Sequence, residues 1–233
     1  MAGELATTVH RQALPLAIGA SLLLWLSPYS LWVDQLFLTF VHEACNGIAA
    51  IVTGGRLQSF VIQPNASGMA LTQGGFRPLI LVAGYAGSCL WGGALLVASR
   101  QRGMEKAVCW ALAAFIGVFT LLFVRNLFGF GVGLGLAAFF GTVAQRGAGW
   151  QLAFLLSFLA VQSILNAFKD LMTLVLLSGR ASLTDAYLMS QELTMGLVPP
   201  IVFAIIISAL TLAAFWGFMR LAWRTQPAPL IEE

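Results

Sequence analysis

Apolar runs dominate this chain, and most of them are long enough to cross a bilayer as helix, which takes about 20 residues. From the N-terminus they cover 13–26, 31–53, 78–98, 107–124, 127–143, 152–177 and 197–223, joined by short polar connectors. Charged residues make up 9% of the 233, against about 25% in an ordinary soluble domain. Mean hydropathy is +0.89. So few charges cannot coat a water-facing surface, which excludes soluble globular readings. The sequence therefore predicts an all-α polytopic membrane protein of about six to seven helices, with the lipid bilayer as its first partner. It reads as a single membrane-embedded domain over residues 1–233. A net charge of +3 forms no basic block and gives no support to a nucleic-acid partner.

One stretch departs from the helical pattern. Residues 57–62 and 68–72 are short extended-type runs around Pro64-Asn65-Ala66-Ser67, closed by Gly74-Gly75, which predicts a β-hairpin insert over about 56–77. Bare strand edges cannot face lipid. The hairpin must lie at the interface or line a protein cavity. At the N-terminus, Arg11 before an apolar stretch looks like a signal sequence, but no small-x-small cleavage site follows. That stretch reads as an uncleaved first span closed by Pro28. Cys45, Cys89 and Cys109 show neither disulfide-framework nor zinc-ribbon spacing. The glycines at 129, 131, 133 and 135 suit helix packing, since no strand precedes them and no basic residue follows. Five Lys and Arg on one side against six on the other leave orientation open.

The second apolar run carries the polar cluster Val41-His42-Glu43-Ala44-Cys45-Asn46-Gly47. An ionisable residue inside a membrane span is costly and marks a functional site by default. A helix bearing His-Glu-x-x-His grips one zinc with two imidazoles a turn apart, while the Glu takes a proton from the attacking water. His42 and Glu43 suit the first two roles. Asn46 stands at the second ligand position, and a neutral amide is a poor zinc donor beside imidazole. Cys45, three residues after His42, lies within reach of the same metal or simply packs. The run at 152–177 carries a second polar set, Gln162, Ser163, Asn166, Lys169 and Asp170. A purely structural alternative pairs His42 and Glu43 with Gln162 or Asn166 and puts Asp170 at a polar helix end.

His42-Glu43-x-x-x-Gly47, Ala49-Ala50-x-x-Thr53-Gly54-Gly55, Pro64-Asn65, Gly68, Gly74-Gly75 and Ala83-Gly84-Tyr85-x-Gly87-Ser88 together resemble the site-2 protease-type family of intramembrane zinc metallopeptidases. The likeness is to the bacterial branch with a hairpin after the zinc helix. It is close over about 38–93 and looser over 160–190. The resemblance implies hydrolysis of peptide bonds in membrane-spanning protein substrates, a multi-pass protein of the bacterial inner membrane, and zinc as cofactor if the site is intact. It implies Glu43 as catalytic base, and His42 and Asp170 as metal ligands, with Asn46 at the substituted ligand position. Asn65, Gly68, Gly74 and Gly75 would contact substrate. Asp185, in Thr184-Asp185-Ala186, is a second candidate ligand or a helix N-cap. Asn46 leaves a natural inactive relative, an engineered inactive form and a weak metal binder all open. A non-catalytic relative that binds transmembrane segments is the alternative function. A small transporter using Glu43, Lys169 and Asp170 as relay groups is a further one, though no inverted repeat supports it.

Overall fold

The structure is a computed structural model that describes the backbone of residues 2–26, 32–101, 103–177 and 184–224. Along it run α1 (Ala2–Leu26), α2 (Trp32–Val52), β1 (Arg56–Ile62), β2 (Gly68–Gln73), α3 (Arg77–Arg100), α4 (Met104–Phe123), α5 (Leu127–Arg146), α6 (Gly149–Leu177), α7 (Asp185–Thr194) and α8 (Pro200–Arg224). Six helices, α2 to α6 and α8, are long and apolar enough to cross a membrane. The apolar part of α1, Gln12–Leu24, is shorter. The expected closure of the first span at Pro28 lies outside the described residues, as does Arg180.

α3 is the central helix, packed against α2, α6 and α8, while α4 pairs with α5 and α1 lies on α6. The close approach of α2 to α3 needs glycine: a Cβ on Gly84 would overlap the imidazole of His42. One core gathers the aromatic rings of Phe37, Phe40, Phe60, Phe119 and Phe140 from α2, β1, α4 and α5. A second, smaller core joins α3, α6, α7 and α8 through Tyr85, Leu171, Met189 and Ile207.

The hairpin forms as the alternating pattern predicts, an antiparallel pair with Phe60 opposite Ala70 and Ile62 opposite Gly68. It folds back beside α2 with β1 turned into the bundle, while Met69 and Leu71 of β2 stand exposed. Phe60 and Ile62 are fully buried. The outer edge of β1 is sealed by the α4–α5 junction. Arg125 N–H donates to Phe60 O, and the Asn126 side chain both accepts from Ile62 N–H and donates to Ile62 O. The outer edge of β2 faces α2. Trp32 donates to Pro64 O at 2.7 Å, Thr39 to Ala66 O at 2.7 Å, and Ala70 N–H to Glu43 Oε2 at 2.9 Å.

Candidate functional site

Position along α2 sets the depth of the site. Helix rises about 1.5 Å per residue, so Glu43 in Trp32–Val52 stands near the middle of the span. Gln35, Leu38, Thr39 and His42 recur at helical spacing and share one face. That face, with Glu43, lines a cavity of about 400 Å³. The opposite wall is α6, contributing Asn166, Lys169 and Asp170. Ala66 and Gly68 close it from the hairpin, and Tyr85, Thr184 and Asp185 from α3 and α7. His42 and Asp170, more than a hundred residues apart, therefore face one hollow.

Each carboxylate around this hollow takes a protein donor. Glu43 Oε2 accepts from Ala70 N–H and, at 3.4 Å, from Asn46 Nδ2. Asp170 accepts from Asn166 Nδ2 at 2.9 Å, and Asp185 from the Tyr85 hydroxyl at 2.7 Å. The Tyr85 ring also meets His42 edge-on, centroids 5.1 Å apart. Burial holds the Asp185 carboxyl above its ordinary range, against the opposing pull of the Tyr85 hydroxyl and of Arg77. An Arg77–Glu192 ion pair at 2.8 Å ties α7 to the start of α3.

The remaining sequence candidates lie around this hollow in different ways. Gly68 lines the cavity, with its backbone so close to α2 that a Cβ would come within 2.5 Å of Thr39 and 2.8 Å of Glu43. Asn65 sits in the hairpin turn, where its side chain accepts from Ser67. Gly74 and Gly75, with φ of +69° and +79°, turn the chain from β2 into α3 at the other end of the hairpin. Cys45 packs on Gly87. The cap of α7 is Thr184, whose hydroxyl accepts from Tyr187 N–H, so Asp185 is the first helical residue and not the N-cap. The amides weighed as partners of His42 and Glu43 are engaged elsewhere: Asn166 on Asp170 and Gln162 on Asp34. Sequence reasoning passed over Asp34 and Thr39. Asp34 was legible by the same rule that singled out Glu43, a carboxylate in an apolar run.

A bundle of membrane-spanning helices around a mid-depth hollow lined by His, Glu and Asp has the make-up of a membrane-embedded metallopeptidase. A family model described as Peptidase M50B-like matches residues 16–218, and the chain belongs to that family. No curated protein and no solved structure matches the chain.

Peptidases of this type use zinc, and a catalytic zinc takes three protein ligands with a fourth position open. Among the described residues the donors do not make that set. His42 is the one imidazole lining the cavity among the described residues. The Asn46 amide nitrogen is turned to Glu43, and its carbonyl oxygen is buried without a partner. Among the described residues no three His, Cys, Asp or Glu side chains converge as a metal-holding group. The arrangement satisfies its carboxylates with protein donors, which is how buried acids persist in a low-dielectric interior.

Proposed function

We propose that this is an intramembrane peptidase-type protein that takes an unwound stretch of a membrane-spanning partner into the cavity. What supports the reading is the meeting, at mid-depth, of the strand edge at Gly68 with His42, Glu43, Asp170 and Asp185. Asn126 holds both backbone groups of Ile62 on the far side of β1, so the groups of Gly68 opposite it point away from the ladder as well. An extended peptide adds to such an edge through its main chain. Unwinding also frees the amide that a helix would keep in its own hydrogen bonds. In a hydrolytic form Glu43 would be the base, His42 and Asp170 would hold the zinc, and position 46 would be the ligand that decides activity. The membrane is then that of a multi-pass protein, with the bacterial inner membrane as the expected compartment.

A second form holds the segment without cutting it. The amide at Asn46 favours it, because it stands where a second imidazole would ligate and is turned to Glu43 Oε2. Metal content and peptide cleavage, measured on the purified protein and on Asn46→His, separate the two. The expected outcome is little zinc in the parent chain, with near-stoichiometric zinc and cleavage of a membrane-spanning peptide in the variant. Unchanged zinc in Asn46→His would remove His42 and Asp170 as ligands. Failure of the parent chain to bind any membrane-spanning peptide would remove the holding form.

A further inference from the structure

The two ends of α3 differ in how their cations are paired. At its start, Arg77 meets Glu192 at 2.8 Å. At its end, Arg100 leads through a three-residue connection into α4, where Lys106 stands in the first turn. α4 and α5 pack antiparallel, with Gly117 against Ala137 and Trp110 against Gly141. Continued outward, that pairing brings Lys106 level with Arg146, in the last turn of α5. Lys106 and Arg146 are exposed, and Arg100 is half-buried. Among the described residues no ion pair holds any of the three. The acid beside them, Glu105, is turned inward at 3% exposure and accepts from Gly103 N–H. None of the three lines the cavity. Beside this rim two tryptophans stand exposed: Trp110, one helical turn from Lys106, and Trp150, four residues past Arg146.

We propose that this rim binds the phosphate headgroup of an anionic phospholipid. Lipid is the partner because α3, α4, α5 and α6 are spans, and the ends of spans lie in the headgroup zone. Three cations against one inward acid leave the rim positive. In that zone each Lys or Arg is worth about fivefold in affinity for anionic lipid. An Arg guanidinium suits two phosphate oxygens at once, while the Lys106 ammonium adds a point charge. Trp110 and Trp150 supply the rest of the match. An indole lays its apolar body against glycerol and upper acyl chain and keeps its N–H at headgroup level. A free phosphate ion gains nothing from the indoles. A zwitterionic headgroup carries its own cation and gains little from the rim.

The test uses the full-length protein in detergent, with retained lipid counted by native mass spectrometry. Phosphatidylglycerol is compared with phosphatidylcholine of the same acyl chains. The anionic lipid is expected to bind at least about fivefold tighter, and to lose that margin as salt rises. Lys106→Gln and Arg146→Gln should each cut its binding about fivefold and leave phosphatidylcholine unchanged. Arg146→Lys, which keeps the charge, should keep most of the preference. Arg56→Gln, which removes an exposed cation at the start of β1, should leave it intact. Equal retention of the two lipids, or an undiminished preference in the Lys106→Gln, Arg146→Gln double variant, overturns the site. An equal loss in Arg56→Gln marks diffuse surface charge and overturns it too. Displacement of phosphatidylglycerol by equimolar inorganic phosphate makes this a free-anion site and overturns the lipid assignment.

Discussion

The two outer edges of the hairpin face the same difficulty, unpaired strand groups at membrane depth, and meet it with different partners. β1 is closed by the α4–α5 junction, where one amide side chain, Asn126, takes both backbone groups of Ile62. The turn and β2 are held by α2 at three points, the turn through Trp32 and Thr39 and β2 through Glu43, with the strand left open toward the cavity at Gly68. The closed edge lies among buried Phe60, Phe119 and Val124. The other lies beside His42 and Asp170. A sealed edge carries stability, and the partly open one is where the proposed peptide would add. The charged partner, Glu43, sits on the cavity side.

Changes on the closed edge should therefore cost stability most. Asn126→Leu strands the N–H and C=O of Ile62, about 1–3 kcal/mol for each group, and thermal unfolding in nanodiscs should show a large loss of folded protein. If that variant were as stable as the parent, the contrast between the edges would be lost. On the other edge, Gly68→Ala forces a Cβ against Thr39 and Glu43. Overpacking of that kind costs about 1–3 kcal/mol, and peptide binding should fall further than stability does. Glu43→Leu leaves Ala70 N–H unpaired at about 1–3 kcal/mol. Glu43→Gln keeps an acceptor there, so amide exchange at Ala70 should speed up in the first variant and stay slow in the second. Thr39→Val removes one bond to Ala66 O, about 1 kcal/mol, and should loosen the turn around Ser67 by the same exchange measurement. The smallest effect concerns pH. Burial raises Asp185 above its ordinary 3.8, so the folded protein takes up that proton before the unfolded chain does. Stability from this group therefore rises as pH falls from its raised value to the ordinary one. Asp185→Asn should flatten that dependence in unfolding curves taken across the interval.

Much of the scaffold was readable in advance. Runs as apolar as 107–124 have no alternative to helix, and 57–62 with 68–72 alternates at a strand's period around a turn signal. The pairing of His42 with Asp170 came from resemblance, and the two side chains line one hollow. Less was readable where roles depend on a partner's position. Asn65 stands in the turn whose Ala66 lines the hollow, and Gly74 and Gly75 form the turn at the hairpin's other end, although their residue types suit a backbone clamp as well as Gly68 does. Asp185 reads as a cap until Thr184 is seen to hold Tyr187 N–H.

Local pattern, then, was enough for the lipid setting, the helices, the hairpin and the expensive His–Glu pair, because burial of apolar surface and the need to satisfy backbone groups act over a few residues at a time. The destination of each polar side chain was decided only by the packed bundle. Hydrogen bonds such as Asn46 to Glu43, Ala70 to Glu43, Tyr85 to Asp185 and Gln162 to Asp34 depend on distances of about 3 Å, and most of those partners come together only when separate helices and the hairpin have docked.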